Sequence, residues 1–423
     1  MKNLSSHCFF LSLFMTIGIG NLMAVEPNYD ESKVPEYTLP ELLRSTNGND
    51  VRTAEEWESR RKEIFELFQT HVYGRTPTEQ LSDINFQLRE QGDALSGRAI
   101  RKQVRINFTK DGSVHADLLL LIPKRATKPV PVFLGLNFSG NHAVHSDPKI
   151  EINAGWSRST PNHKADPKDR GKNQGRWQPE LLVENGYALA TIYCGDLDPD
   201  KYVNGFSDGV HPLFYRDGQT KPEDDEWGSI GAWAWGLSRA LDYLETEEDI
   251  DSKKVAVIGH SRLGKTALWA GANDERFALV ISNNSGCGGA ALFRRCYGER
   301  VHVMAQRFPD WFCVNYQKYA ERENEMPVDQ HMLIALMAPR PVYVASAVDD
   351  KWADPRGEFL AAKHASPAYS LFEKTGLPAE DMPEINSPVH GTIGYHIRSG
   401  KHDVTRFDWE QYIAFADKHF DRN

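Results

Sequence analysis

Along the chain, the spacing of apolar residues runs first at a helical period, then alternates, and then falls into short unbroken runs. Within 54–73 the bulky residues Trp57, Ile64, Phe65 and Phe68 recur at helical spacing, which predicts an amphipathic helix. Within 98–122 the pattern alternates through Val104-Arg105-Ile106-Asn107-Phe108, turns at Asp111-Gly112 and resumes at Val114, which predicts an antiparallel hairpin. Beyond it, the apolar runs 130–136, 187–192, 255–258, 279–281 and 341–346 are interspersed with helical stretches at 230–244 and 264–272, and a helix over 409–419 closes the chain. Unbroken apolar runs of this length suit strands buried on both faces. Alternating with helices, they predict an α/β protein: a three-layer sandwich around a mostly parallel central sheet with right-handed crossovers. The segment 141–175, rich in charge, Pro and Gly, is expected to be a surface insertion on the substrate side.

Composition narrows the class. A chain of 423 residues, 40% apolar and 26% charged, is an ordinary globular protein. Its formal net charge of −10 opposes a nucleic-acid partner, which needs a basic surface. Residues 1–24 carry a positive start at Lys2, an apolar stretch too short to span a bilayer and the small-residue site Leu22-Met23-Ala24, so they read as a secretory signal peptide. A secreted or periplasmic protein without a membrane span follows, with 25–423 as one domain carrying surface insertions and most simply a monomer. The opening 25–50, with Pro27, Pro35 and Pro40, is expected to be a weakly ordered lead-in. Cys194, Cys287, Cys296 and Cys313 show no paired spacing typical of zinc sites, so no metal is expected, and a core this large requires no disulfide.

The chemistry gathers at Gly259-His260-Ser261-Arg262-Leu263-Gly264. It follows the run Lys254-Val255-Ala256-Val257-Ile258 and precedes a helical stretch, so Ser261 sits on a sharp strand-to-helix turn. Glycines at 259 and 264 remove side chains where strand and helix must nearly touch. Such a turn exposes the hydroxyl and aims the helix N-terminus at a developing oxyanion, the arrangement of a nucleophile in the α/β-hydrolase fold. In that fold the acid and then the histidine follow the serine. The loop after the last strand run offers Asp349, Asp350 and Asp354, at least two of which must have other roles, such as capping the helix that Pro355 begins. His390, His396 and His402 are the late histidines, and His402 lies in a loop directly before the final helix, the expected place for the general base.

Taken together these residues resemble the glucuronoyl esterases, carbohydrate esterase family 15. The likeness rests on Gly259-His260-Ser261-Arg262-Leu263-Gly264-Lys265, Ser285-Gly286-Cys287-Gly288-Gly289-Ala290, Trp352-Ala353-Asp354-Pro355 and the loop at His402. It implies a cofactor-free serine esterase that cleaves esters between (4-O-methyl-)glucuronic acid on glucuronoxylan and lignin alcohols, a carbohydrate ester being the partner. By the same resemblance, Arg262 adds a charged donor to the oxyanion hole, and Lys265, Glu299 and Trp352 face the sugar: an ammonium, a hydroxyl acceptor and an aromatic wall with an indole N–H. Fungal members carry the triad Glu directly before Ser-Gly-x-Gly-Gly, where this chain has Asn284. An amide cannot stabilise imidazolium, so the acid is expected from the later loop, with Asp350, two residues before Trp352, ahead of Asp349. An acetyl or feruloyl xylan esterase on the same fold, or an inactive carbohydrate-binding relative, are the competing expectations.

Overall fold

The computed structural model describes residues 26–79, 81–125, 129–158, 160, 162–201 and 205–422. The expected signal peptide, 1–24, lies outside them. Among the described residues ten strands form one sheet: β1 (Asn85–Ala94), β2 (Ala99–Asn107), β3 (His115–Pro123), β4 (Val130–Asn137), β5 (Ala188–Tyr193), β6 (Ile250–His260), β7 (Leu279–Asn283), β8 (Val342–Ala347), β9 (Val389–His390) and β10 (Ile393–Arg398). Their spatial order is β1-β2-β3-β5-β4-β6-β7-β8-β10-β9. From β5 to β10 the neighbours are parallel, while β1–β3 at one edge and β9 at the other are antiparallel.

The burial pattern explains this order. Strands β4, β5, β7 and β8 are buried at every position, as the unbroken apolar runs require, and β2–β3 form the expected hairpin. Helices cover both faces. On one, Ala54–Phe68, Ser229–Leu244, Arg262–Asn273 and Pro355–Ser370 enclose the larger core; on the other, Pro179–Glu184 and Arg406–His419 enclose the smaller. Trp227, Trp233 and Trp235 are core residues, at most 5% exposed. In the larger core the Trp269 ring stacks on Tyr73 (4.5 Å) and Phe65 (5.2 Å), anchoring the helix that starts after Ser261.

Two expectations change. The lead-in is not loose from Glu26 onward, because buried groups claim its backbone: Arg60 Nε donates to the Leu42 carbonyl at 3.1 Å, and His331 Nε2 donates to the Pro40 carbonyl at 3.0 Å. The predicted helix at 54–73 ends at Phe68 and continues as a wider turn, Gln69–Tyr73. Cys194, Cys287, Cys296 and Cys313 are all free thiols. No helix among the described residues is long and apolar enough to cross a membrane.

Candidate active site

Ser261 stands between β6 and the helix Arg262–Asn273 with φ 58° and ψ −130°. A side chain in that region costs about 1–3 kcal/mol, so the surroundings must enforce it. They do so by close approach: a Cβ on Gly259 would lie 1.8 Å from the Leu263 carbonyl oxygen, and one on Gly264 would meet Ser285 Cβ at 3.0 Å. The Ser261 amide is tied to the Asn283 carbonyl of β7 at 2.9 Å, and the Gly264 amide to the Ser261 carbonyl at 2.8 Å. The amides of Arg262 and Leu263, the first of the helix, have no acceptor within it and lie at the positive end of its dipole.

His402 is carried by the loop between β10 and the last helix, and that loop is wrapped around one buried cation. Arg398 donates to the carbonyls of Ser399 (2.9 Å), Lys401 (3.0 Å) and Asp403 (2.5 Å), and its Nε binds Asp408 at 2.8 Å. His402 Nδ1 lies 2.6 Å from Asp350 Oδ2. A carboxylate only accepts, so Nδ1 carries the proton and Nε2 is left as the base. The His402 ring packs against that of His260 at 4.4 Å between centroids. Burial holds His260 neutral, well below the usual histidine range, so it does not compete as a cation.

The loop after β8 separates the three acidic candidates. Asp350 is buried and meets His402; Asp349 is exposed; Asp354 caps the next helix by accepting from the Gly357 amide at 3.0 Å and pairs with Arg295 at 2.8 Å. His396 is fully buried between Tyr343 Oη (2.9 Å) and Asp408 (2.9 Å), and His390 lies against Tyr343, so both serve the core.

Arg262 runs beside the cleft with its guanidinium carbon 4.5 Å from the centre of the Phe138 ring and 5.6 Å from that of Trp311. Its Nε lies 3.4 Å from Asp200 Oδ2. Asp200 is buried, has φ 59°, accepts from Trp311 Nε1 at 2.8 Å and also binds Arg158. Nothing in the sequence around Asp200 announced this partnership; it depends on three segments meeting.

The three residues assigned to the sugar form one hydrogen-bonded cluster. Glu299 Oε2 accepts from Lys265 Nζ at 2.7 Å, and Glu299 Oε1 accepts from Trp352 Nε1 at 2.5 Å. Lys265 is 1% exposed and also donates to the carbonyls of Ser285 and Cys287. Its ammonium is therefore engaged inside the protein rather than standing free in the cleft as expected, and it fixes the Glu299 carboxylate in place.

A cleft of about 680 Å³ opens over Ser261 and His402, walled by Phe138, Arg158, Lys172 and Arg176. Arg158 and Lys172 come from the predicted insertion, and Phe138 from the loop after β4. Near Asp350 lies Glu358, which sequence reasoning missed. It accepts from the amides of Ser285 (2.7 Å) and Gly286 (3.0 Å) and from Ser346 Oγ (2.6 Å), and burial, reinforced by Asp350, pushes its carboxyl up to about 8. Among the described residues no three His, Cys, Asp or Glu side chains are placed to hold a metal ion.

An elbow serine at the end of a central parallel strand, with a His–carboxylate pair beyond it, defines an ester hydrolase of the α/β-hydrolase fold. Known proteins agree. A profile described as glucuronyl esterase, fungi, matches residues 218–373. A carbohydrate esterase from an unknown prokaryotic organism is 52% identical over 399 residues, covering 93% of this chain and 92% of its own. Among solved structures, a carbohydrate esterase family 15 enzyme from a marine bacterial metagenome, described as promiscuous, shares 52% identity (TM-score 0.87, 93% of this chain and 100% of that one). A glucuronoyl esterase from Solibacter usitatus shares 49% identity (TM-score 0.87, 92% and 100%). The chain belongs to carbohydrate esterase family 15, the glucuronoyl esterases, and is a carboxylic ester hydrolase.

Proposed function

We propose that the protein hydrolyses esters of glucuronic or 4-O-methyl-glucuronic acid, carried on glucuronoxylan and joined to lignin alcohols, through an acyl-enzyme. Ser261 attacks the ester carbonyl as His402 takes its proton; Asp350 orients the imidazole and stabilises its cation; Arg262 and the amides at the helix start hold the oxyanion. The imidazolium then protonates the departing alcohol, and water, deprotonated by the same ring, releases the uronate. The observation that carries the substrate assignment is the Glu299 carboxylate, fixed from both sides by Lys265, four residues after Ser261, and by Trp352, two residues after Asp350. A polar acceptor with an aromatic neighbour suits a hydroxylated sugar acid and is wasted on an acetyl group.

The 2.6 Å contact between His402 and Asp350 argues against an inactive binding relative, because a lost activity would leave that carboxylate without selection for this geometry. An acetyl or feruloyl xylan esterase stays as the second reading, since one similar enzyme is described as promiscuous. Residues 1–24 act as the signal peptide of a secreted or periplasmic enzyme, with 25–423 as a single monomeric domain. The test is turnover of benzyl glucuronate beside acetylated xylan, by the wild type and by Ser261→Ala. Benzyl alcohol release that vanishes in Ser261→Ala is expected; release of acetate alone, or unchanged turnover by the variant, sinks the reading.

A further inference from the structure

The residue directly before Ser261 carries a second ring nitrogen in the cleft, and the core decides where its proton sits. Asp408 is wholly buried and accepts from Arg398 Nε at 2.8 Å and from the Thr405 amide at 2.7 Å. Burial alone would raise its carboxyl, but the contacts of His396, Arg398 and Thr405 hold it below the usual carboxylate range, so it acts only as an acceptor. Asn283, at the end of β7 and equally buried, donates through Nδ2 to Tyr412 Oη at 2.8 Å and to Asp408 Oδ1 at 3.3 Å. Turned over, that amide would set its oxygen against the carboxylate; Asn283 Oδ1 therefore faces the other way, 2.6 Å from His260 Nδ1. An amide oxygen only accepts, so His260 Nδ1 carries the proton and Nε2 keeps a bare lone pair. His260 lines the cleft together with Ser261 and His402, and its ring lies against that of His402 at 4.4 Å between centroids. The charged side chains around it there, Arg158, Lys172, Arg176 and Arg262, are cations, which donate and never accept.

We propose that His260 is a further catalytic residue, its Nε2 accepting a hydrogen bond from the water that His402 turns on the acyl-enzyme. The inference rests on the acyl-enzyme reading of Ser261 and His402. In that step the water oxygen bonds to the acyl carbon and one of its hydrogens passes to His402 Nε2. The bond from that carbon to Ser261 Oγ then breaks, and Oγ takes the proton back from His402. The second hydrogen of the water stays on the new carboxyl group, and its O–H needs an acceptor throughout. The cations of the cleft cannot serve, whereas the His260 ring lies beside the ring that takes the first hydrogen. Burial, then the charges of His402 and Arg176, keep His260 neutral, so it holds this second hydrogen without taking it. The proton passes to bulk water as the product departs as uronate. An alcohol has one O–H, gives that hydrogen to His402 and gains nothing from His260. The lone pair therefore favours hydrolysis over transfer of the uronoyl group to a second alcohol.

The test is the partition of the acyl-enzyme formed from benzyl glucuronate between water and a fixed concentration of methanol. The quantity to read is the initial ratio of methyl glucuronate to glucuronate, beside the total benzyl alcohol released. His260→Phe keeps a ring against His402 but has no acceptor; it should raise the ratio roughly tenfold, the size of one hydrogen bond, by slowing hydrolysis while methanolysis continues. His260→Leu, a second variant without an acceptor, should shift the ratio the same way. His260→Gln, whose amide oxygen accepts, should bring most of it back. Both products come from one acyl-enzyme, so the ratio does not depend on how much of a variant is folded. A ring that serves packing alone would slow both transfers together. A ratio unchanged in His260→Phe and His260→Leu, or raised as much in His260→Gln, overturns the proposal. Wild-type enzyme that releases no benzyl alcohol overturns the acyl-enzyme reading itself, an outcome separate from any change in the ratio.

Discussion

Asn284 Nδ2 donates to Asp350 Oδ2 at 2.8 Å, the same oxygen that His402 Nδ1 meets at 2.6 Å. The residue at the position of the fungal acid therefore still bears on the proposed triad, because its amide donates to the carboxylate that meets His402. Asn284 has φ 46° and is 1% exposed, so the turn commits it to that direction.

Asp350→Asn should cut kcat on benzyl glucuronate by roughly 10³–10⁴-fold, because an amide can offer His402 the wrong tautomer. Asp349→Asn, altering an exposed carboxylate, should stay within about twofold. Asn284→Ala should cost less, of the order of 1–3 kcal/mol in transition-state stabilisation, by leaving Asp350 short of a donor. Steady-state kinetics on the three variants check the ranking; equal losses for Asp349→Asn and Asp350→Asn would refute it.

Asp200 is the carboxylate paired with Arg262, its Oδ2 3.4 Å from Nε, while the other close contacts of that guanidinium are aromatic faces. Asp200→Asn should lower kcat by about 10–10²-fold with little change in KM, as expected for a donor that acts on the oxyanion rather than on bound substrate. Arg262→Ala should lower kcat further, and adding Asp200→Asn to it should have little extra effect. Additive losses in the double variant would show that Asp200 acts elsewhere.

His331 is one of several buried histidines, with His211 and His260, that cost stability in acid. Its Nε2 is used by the Pro40 carbonyl, its Nδ1 is buried without a partner, and burial lowers it to about 3. A folded histidine held below its unfolded value of about 6.5 stays neutral while the unfolded chain takes up the proton, so stability is lost as pH falls from 6.5 towards 3. At pH 4.5 this amounts to about 3 kcal/mol. The melting temperature of the wild type should drop across that window, and His331→Gln should lessen the drop without abolishing it; parallel curves would remove His331 as a contributor.

The sheet was legible because its strands carry their own signal. Runs such as Val255–Ile258 and Leu279–Ile281 are apolar on both faces, which only a covered strand tolerates. Strand β1 was not, because its side chains are mostly exposed or half-buried and its place is set by pairing with β2. Strand β10 hid in a polar stretch, because His396 and Arg398 are buried there only by virtue of Asp408.

The sequence by itself determined the elbow: Gly259, Ser261 and Gly264 are local, and a Cβ at 259 cannot coexist with the turn. It also narrowed the expected acid to one loop, and the family resemblance its motifs carry pointed to Lys265, Glu299 and Trp352. Only the tertiary structure decided which carboxylate reaches His402, that Lys265 is spent on Glu299, and that Asp200 holds Arg262. Those are contacts between segments far apart in the chain, set by buried charges finding their partners, and no local spacing encodes them.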